Sequence, residues 1–409
     1  MPLVSEKMRN RVVITGLGVI SSIGIGWEEF WDSLLKGRSG ISPVTSFDTT
    51  GHFTHNGGEA KNFRPEEFIS VERLTFINRS TQMALAAAIL ALKDSDLTTE
   101  KLESYRVGVS HGTTLGDAQT IEDIDDLLVQ NKPVSERLIC QIPTHSAPAA
   151  IASEFKLNGP AFMFSTACAA GNYAISYGYD LIRSGRADIV IAGASDPISR
   201  IEFTGFNQFS AVAPEKCQPF DKNRKGMMLA EGAGILVLES IENALRRKAH
   251  IYAEILGYGL SCDAYHMTNA SAEGIAECMR KALKESDITK EDVDYISAHG
   301  TGTKANDRNE CAAIREVFGS RYKEVPISSI KSMLGHTMGA ASAIEAITCA
   351  LVVKNDIIPP TINFETPDPL CDIDCVPNQA RKHKVNIAMN NSYAFGGNNA
   401  SLVLRKFKT

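Results

Sequence analysis

Short, almost continuously apolar runs alternate along this chain with longer segments whose apolar residues recur at helical spacing. Such runs are typical of strands that are buried on both faces. In the first half they predict strands at 11–18, 106–109, 161–167, 187–194 and 234–238. Beyond residue 251 they predict strands at 252–260, 293–298, 326–330, 385–389 and 401–404.

Helical spacing predicts helices at 27–35, 80–92, from the end of the 161–167 strand to 183, 271–286 and 340–353. Residues 117–150 are charged and interrupted by prolines, so we expect an excursion from the core there. Strands that alternate with helices predict an α/β fold with mostly parallel, doubly covered sheets. Because the pattern starts again near residue 251, we expect two similar halves, 1–251 and 252–409, although no sequence repeat is readable. The length of 409 residues also exceeds what a single core usually holds.

Composition excludes several classes of protein. With 44% hydrophobic and 22% charged residues, a net charge of −6 and a pI near 5.9, the chain shows no bulk attraction to nucleic acid. No apolar run reaches the length of a membrane span, and residues 1–11 are polar, so we expect neither membrane insertion nor a signal peptide. Nine cysteines without metal-ligand spacing indicate a reducing, cytoplasmic setting and no bound metal.

A glycine pair follows the first predicted strand, at Gly16 and Gly18. The pair is reminiscent of a dinucleotide-binding turn, but Ser21 stands where the third glycine is due. No acidic residue ends a recognisable second strand, so we set nucleotide binding aside.

Cys168 stands where a predicted strand ends and a helical pattern begins, in the segment FSTACAAG. Unpaired N–H groups and the positive end of the helix dipole favour the thiolate there, and small neighbours leave room for a substrate. A plain buried cysteine is the alternative interpretation. Three further glycine-rich stretches follow predicted strands, namely HGTGT from His299, KSMLGH with Lys331 and His336, and NSYAFGG with Phe395.

Together these motifs resemble the β-ketoacyl-acyl carrier protein synthases of the thiolase superfamily, most closely the elongating, synthase II-like branch. The resemblance runs nearly end to end and includes VVITGLG, FDKNRKG, EGAGILVLE, SCDAYHMT and PPTINFETPDP. It implies a five-layer αβαβα fold of two pseudo-duplicated halves and a homodimer. It also implies an acyltransferase that performs decarboxylative Claisen condensation in fatty acid elongation, with malonyl and acyl thioesters carried on the phosphopantetheine of acyl carrier protein and no separate cofactor.

The resemblance assigns roles by motif. Cys168 would accept the acyl chain as a thioester, and His299 and His336 would donate hydrogen bonds to the enolate left by decarboxylation. Lys331 would order the site electrostatically, or would only form a salt bridge with Glu345. The backbone N–H groups of Cys168 and Phe395 would form the oxyanion hole. Phe395 would also gate the acyl pocket, and the walls of the pantetheine tunnel would include Thr268, Thr301 and Thr303. Structural hydrogen-bonding roles are implied for Asp263, His266, Asp307 and Glu310.

Several residues depart from the family pattern. Asn398, Tyr393, Ala230 and Ser342 replace more usual residues, and HGTT from His111 puts polar groups where fatty-acid enzymes usually line the acyl pocket with apolar ones. A ketosynthase of a polyketide or specialised-metabolite pathway is therefore an alternative. A catalytically silent chain-length partner and a decarboxylase are further alternatives, although such relatives usually lack the cysteine. A basic docking patch for the acidic carrier would fall at Lys61, Arg64, Arg73 and Arg79, unless that region is a solvated mixed-charge face.

Overall fold

The computed structural model describes residues 11–408. The polar N-terminal segment considered above lies, except for Arg11, outside the described residues. Ten strands form the path of the main sheet: β1 Val12–Ser21, β2 Val107–Gly112, β3 Ala161–Phe164, β4 Ile189–Asp196, β5 Gly232–Ser240, β6 Ala253–Cys262, β7 Tyr295–Ser297, β8 Ile327–Ser328, β9 Ile387–Tyr393 and β10 Asn398–Lys406. Each of the ten predicted strands corresponds to one of these.

The longer helices are α1 Trp27–Leu35, α2 Arg79–Asp94, α3 Ala118–Val129, α4 Ser146–Glu154, α5 Ala170–Arg183, α6 Arg200–Gln208, α7 Ile241–Arg246, α8 Ala272–Glu285, α9 Lys304–Phe318 and α10 Ala341–Asn355. Side chains cap several of their first turns, as when Asn78 accepts the N–H of Thr81 at 3.3 Å. Short helical turns lie at Pro65–Glu67, Val71–Leu74, Thr99–Leu102, Glu136–Ile139, Ala167–Ala169, Lys290–Asp292, Gly319–Lys323, Lys331–Leu334, Met338–Ala340, Pro369–Cys371 and Phe395–Gly397. The two-residue strands are Gly24–Ile25, Ser42–Pro43, Asn56–Gly57, Ile357–Ile358 and Arg381–Lys382.

The two halves have the same strand order. The order is β3-β2-β4-β5-β1 in the first half and β8-β7-β9-β10-β6 in the second. Strands β1 to β5 therefore correspond, one by one, to strands β6 to β10. The halves join where β1 pairs with β6 in antiparallel register, from Val12 opposite Ile255 to Ile14 opposite Ala253. The topology therefore confirms the pseudo-duplicated architecture that the alternating pattern predicted.

The expectation of mostly parallel sheets is wrong. β5 and β10 each run antiparallel to both of their neighbours, and β1 and β6 also pair antiparallel. In the second half the cause is local, because the tight turn at 394–397 folds β10 directly back onto β9 and a hairpin must be antiparallel. Parallel pairing is kept among β2, β3 and β4, and among β7, β8 and β9.

Helices and sheet form five layers. α2 and α4 cover the outer face of the first half, α5 and α10 lie between the halves, and α8 and α9 cover the outer face of the second. Of these, α4 and α9 were not predicted as helices, and neither were α3 and α6. Residues 117–150 were expected only to form an excursion from the core, and α6 and α9 are rich in polar residues. Residues 117–150 form α3, a short helical turn and most of α4, apart from the main sheet.

The middle layer contains α10, which is buried on every side from Ala341 to Val353. Within the described residues, the segment Met338–Asn355 alone is long and apolar enough to cross a membrane by length and composition, and 89% of it is buried inside the fold. A helix that is hydrophobic all round is expected at the centre of a large core.

Gly16 and Gly18 allow α2 to pack directly against β1. A Cβ atom at Gly16 would lie 2.2 Å from the carbonyl oxygen of Ala91, and one at Gly18 would lie 1.9 Å from that of Ala87. The glycine pair thus has a packing role, which accounts for the spacing without a bound nucleotide.

We expect Gly18→Ala to lower the free energy of unfolding by about 2 kcal/mol, because the new methyl group must push α2 away from β1. Thermal and urea denaturation would measure the change. Gly205→Ala is the matched control, since no atom lies within 4 Å of the added Cβ in helix α6. An equal loss of stability in both variants would contradict the packing role.

Candidate active site

Cys168 lies in the helical turn Ala167–Ala169, which connects strand β3 to helix α5. The preceding Ala167 has φ +48°, a left-handed conformation that alanine rarely adopts. Ser392 holds the turn from the second half of the chain by donating to the carbonyl oxygen of Cys168 at 2.8 Å. The cysteine is therefore fixed at the start of a helix, as predicted, and is 6% exposed.

The expectation that the helix start favours a thiolate is wrong for this site. Burial raises the pKa of the Cys168 thiol to about 12, and the positive charge of Lys331 opposes that rise only in part. Removing a thiolate from water costs more here than the backbone hydrogen bond at Cys168 and the positive charge of Lys331 return. Cys168 is therefore a thiol in the resting protein, and any attack by its sulfur requires a base nearby.

His299 and His336 lie beside this thiol. The cysteine sulfur and one nitrogen of each imidazole lie within 4.8 Å of one another. The two rings meet edge to face, with centroids 5.4 Å apart. Three residues that are 131 and 37 positions apart in the chain thus converge on one point.

The hydrogen bonds of the two imidazoles differ. The backbone N–H of Met338 donates to Nδ1 of His336 at 3.1 Å, so the proton of the neutral ring must lie on Nε2. Nδ1 of His299 has no hydrogen-bond partner within residues 11–408, and its tautomer is not fixed in this way. Burial, with the nearby charge of Lys331, lowers the pKa of both histidines well below the usual value, so both rings are neutral.

The backbone of the His299 loop is held by a buried carboxylate. The two oxygens of Glu310 accept the N–H groups of His299 and Gly300, each at 2.8 Å. Asp307 accepts the N–H of Phe220 at 2.8 Å and that of Gly302 at 3.2 Å. Both carboxylates thus make the kind of structural bonds that the resemblance implied for them.

Lys331 and Glu345 form an ion pair behind the histidines, and each side chain is 1% exposed. Burial raises the pKa of Glu345 to about 7, and Lys331 opposes the rise. The same ammonium lowers the pKa values of Cys168, His299 and His336. The two roles considered for Lys331, salt bridge and electrostatic influence, are therefore both visible in the structure.

A cavity of about 710 Å³ opens from the cysteine and the histidines to the surface. The predicted substrate-binding residues also line this cavity, namely Thr268, Thr301, Thr303 and Phe395. Lys331 and Glu345 are the predicted site residues that do not line it. A groove of about 810 Å³ elsewhere, between Thr45 and Arg200, contains none of the predicted site residues.

Phe395 stands at the mouth of this cavity, 36% exposed, in the turn between β9 and β10. Its ring packs on Phe206 and Phe209, with centroids 5.7 and 6.4 Å away. Gly396 follows with φ +82° and donates its N–H to the carbonyl oxygen of Met267 at 2.8 Å. The two aromatic partners were missed in the sequence because helix α6, which brings Phe206 to the cavity, was not predicted.

Other residues that the sequence analysis missed contribute to the site. Tyr393, Lys225 and Lys304 line the cavity, and Met338 sets the tautomer of His336. The motifs pointed to none of these roles, because each depends on a backbone group or on a contact between distant loops.

One sulfur and two imidazole nitrogens at this spacing are also ligands that Zn²⁺ accepts.

The fold and the site define a class of protein, an α/β protein of thiolase-like architecture with a cysteine and two histidines at the end of one cavity. The match to two family models is more specific: Beta-ketoacyl synthase, N-terminal domain, covers residues 9–244, and Beta-ketoacyl synthase, C-terminal domain, covers residues 252–365. The chain belongs to the β-ketoacyl synthase family.

Relatives include 3-oxoacyl-[acyl-carrier-protein] synthase 2 of Staphylococcus aureus (strain COL), 40% identical over 98% of this chain and 100% of the relative. Among solved structures, the ishigamide ketosynthase/chain length factor is 46% identical, with a TM-score of 0.95 over 98% of this chain and 100% of that one. The structure titled AntDE:AntF, a type II PKS acyl-carrier protein in complex with its ketosynthase bound to the hexaketide, is 35% identical with a TM-score of 0.89 over the same shares.

The charge of Lys331 should make Cys168 easier to deprotonate. In Lys331→Met/Glu345→Gln, which removes the ion pair without leaving one charge buried alone, the pKa of Cys168 should rise further. Alkylation of Cys168 by iodoacetamide near pH 8 should then slow by about threefold or more, since the thiolate is the reacting form. Mass spectrometry of the labelled peptides would measure the rate against the exposed Cys140 in the same sample. Unchanged or faster labelling of Cys168 would contradict this electrostatic influence.

Proposed function

We propose that this chain is a β-ketoacyl-acyl carrier protein synthase that condenses malonyl-carrier thioesters with an acyl chain held on Cys168. The observation that carries the proposal is the convergence of one thiol and two neutral imidazoles within 4.8 Å at the closed end of a cavity. The proposed domains are 1–251, with the cysteine, and 252–409, with the histidines and the lysine. The protein needs no separate cofactor in this proposal, and it acts in the cytoplasm.

The first step is acyl transfer. The sulfur of Cys168 attacks the carbonyl carbon of the incoming thioester, a new C–S bond forms, and the carrier thiol leaves. The proton of the Cys168 thiol must move because burial keeps the sulfur protonated at rest. His299, which is neutral and has no fixed tautomer, accepts that proton and returns it to the departing thiol. The backbone N–H groups of Cys168 and Phe395 stabilise the negative oxygen of the tetrahedral intermediate.

The second step is decarboxylation and condensation. The malonyl C–C bond to the carboxylate breaks, carbon dioxide leaves, and the electron pair forms an enolate. Charge then grows on the thioester oxygen, where the Nε2–H of His336 is fixed as a donor by the bond from Met338. The enolate carbon attacks the acyl thioester carbon, and the C–S bond to Cys168 breaks. The Cys168 thiolate then takes up one proton from solvent, which balances the loss of the malonyl carboxylate as carbon dioxide. Thr268, Thr301, Thr303 and Phe395 contact the pantetheine arm in this proposal.

A ketosynthase of a polyketide or specialised-metabolite pathway is the second candidate. Polar side chains of the HGTT segment favour it: His111 is fully buried, bonds Ser195 at 2.9 Å through Nε2 and has no partner for Nδ1 within residues 11–408. Two hydrogen bonds connect this segment to the residues before the cysteine. The backbone N–H of Thr113 donates to the carbonyl oxygen of Phe164 at 2.9 Å, and the hydroxyl of Ser165 donates to the carbonyl oxygen of Thr114 at 3.0 Å. The 46% identity to a ketosynthase/chain length factor structure supports the same candidate.

The proposal includes a dimer, and the geometry of β3 supports it. This strand pairs only with β2 among the described residues, so its other edge is free, and Phe162 on it is 40% exposed. Further exposed apolar side chains lie at Leu115, Ile121, Leu128, Val129, Ile139 and Ile142. A second copy of the chain is the partner we propose for this edge.

Intact-mass analysis after exposure to a panel of acylated carrier proteins tests the proposed function. We expect the wild-type protein to gain the mass of one acyl chain and Cys168→Ala to gain none. Cys217→Ala, which removes another buried thiol, is the matched control and should be acylated like the wild type. A preference for saturated donors supports fatty acid elongation, and a preference for oxygenated or polyunsaturated donors supports the second candidate. No adduct with any donor would contradict both.

A second test concerns the phosphate of the carrier's phosphopantetheine arm and the lysines and arginines that could bind it. All four cations first considered for docking make bonds within the protein: Arg73 with Glu154, Arg79 with Glu231, Lys61 with Ser42, and Arg64 with the carbonyl oxygen of Lys61. The mixed-charge interpretation of that region is thereby favoured. By contrast Lys225 and Lys304 line the mouth of the cavity and form no ion pair within residues 11–408. Their loops are tied together by the bond from the N–H of Gly226 to Gly302 at 3.0 Å.

We expect Lys225→Glu/Lys304→Glu to raise KM for carrier-borne substrates about tenfold at low salt, because both charges act on one phosphodiester. The reaction of an N-acetylcysteamine thioester, which lacks the phosphate, should be unchanged. Lys222→Glu, an exposed lysine in the same loop that does not line the cavity, is the matched control. An equal loss with both substrates would contradict a role in phosphate recognition.

A further inference from the structure

Asp196 ends strand β4 with a carboxylate that is 1% exposed and has no ion-pair partner among the described residues. Backbone and hydroxyl donors surround it instead. Its Oδ2 accepts the N–H of Gly339 at 2.6 Å and that of Thr114 at 2.8 Å, and its Oδ1 accepts the hydroxyl of Thr113. This one side chain therefore connects the ends of two strands of the first half to the turn Met338–Ala340 of the second.

The turn that Asp196 holds is strained. Met338 has φ +51°, in the left-handed region that methionine rarely adopts, so the turn needs support from its surroundings. Gly339 approaches closely, since a Cβ atom there would lie 2.7 Å from Oδ2 of Asp196. A larger residue at 339 would collide with this carboxylate and with the backbone of Thr113 and Thr114, so glycine permits the close approach of the turn to Asp196.

The same turn fixes the proton of His336. The N–H of Met338 donates to Nδ1 of His336 at 3.1 Å, and the next N–H along the chain, that of Gly339, donates to Asp196. We propose that Asp196 is a positioning residue for His336: by holding Gly339 it keeps the N–H of Met338 aimed at Nδ1, and so keeps the proton of the imidazole on Nε2. The kinetic part of this inference rests on the proposed function, but the tautomer does not.

The ionised form of Asp196 is the one that accepts all these bonds. Burial raises the pKa of Asp196 to about 6, and the bonds from Thr113, Thr114 and Gly339 oppose that rise. Three titratable groups interact with Asp196, namely Glu202, Asp117 and Cys168. Burial and the charge of Asp196 raise the pKa of Glu202 well above its usual value. Burial raises the pKa of Asp117 to about 7. Of Asp196 and Glu202, we assign the negative charge to Asp196 because more donors surround it. Since the pKa is raised, Asp196 gains a proton as the pH falls through about 6, and the support of the turn weakens below that pH.

Nitrogen-15 NMR of the histidine rings tests the tautomer in the whole protein, with His336→Gln used to assign the signal. We expect wild-type His336 to show one Nε2–H tautomer at neutral pH. Asp196→Ala should show a mixture of both tautomers, because the turn loses its holding bond. Thr113→Val, which removes a donor on the far side of the same carboxylate, should resemble the wild type. A single Nε2–H tautomer in folded Asp196→Ala would overturn the proposal, whether or not the protein condenses acyl chains.

Kinetics give a second readout. Asp196→Ala should lower kcat about tenfold or more with little change in KM, because a donor that acts on the enolate is lost. Asp196→Asn keeps a carbonyl oxygen for Gly339 and should retain most of the activity at neutral pH, without the fall in kcat below about pH 6. Glu202→Gln should leave that fall where it is, because the neighbouring Glu202 is uncharged when Asp196 titrates. If Asp196→Ala does not fold, an acid limb that persists unchanged in Asp196→Asn still overturns the proposal.

Discussion

The burial of one small cluster of side chains determines the chemistry of this protein. A thiol, two imidazoles and an ammonium–carboxylate pair are all almost fully buried there. Burial raises the pKa values of Cys168 and Glu345 and lowers those of His299 and His336, which favours the neutral form of each. The cysteine stays protonated and the histidines stay neutral, so the charge states of all three groups are set before a substrate arrives. Lys331 stays compatible with this environment because Glu345 pairs with it, and its charge holds the imidazoles in the neutral state.

The duplicated topology explains how such a volume arises. Cys168 lies in a turn between β3 and α5, and His336 lies just before a turn between β8 and α10, which are the corresponding elements of the two halves. Each turn contains a residue in the left-handed conformation, Ala167 in one and Met338 in the other. Because α5 and α10 pack side by side in the middle layer, the two turns face each other. The site thus combines equivalent positions of two similar halves with different side chains in each.

Much of this could be predicted from the sequence. The apolar runs located all ten strands, and the glycine-rich motifs located Cys168, His299 and His336, because strand cores and tight turns constrain residue types locally. Strand direction, helices α3, α4, α6 and α9 and the tautomer of His336 could not be predicted, since each depends on contacts between segments far apart in the chain. The protonation state of Cys168 was predicted wrongly for the same reason: the helix start is a local feature, but the burial that outweighs it results from packing of the whole fold.

One departure from the family pattern, a serine at 342, is accommodated by the packing of α5 against α10. Ser342 stands at the start of α10 where a glycine is more usual, and its hydroxyl accepts the N–H of Asn172 on α5 at 3.0 Å. A Cβ atom at Gly171 would lie 2.8 Å from that hydroxyl oxygen, so the glycine on α5 provides the space that the serine on α10 occupies. Asn390 extends the contact by donating to Asn172 at 3.0 Å and to the carbonyl oxygen of Ser342 at 2.9 Å. A polar network in the middle layer therefore fixes α5 against α10, and with them the spacing between Cys168 and His336.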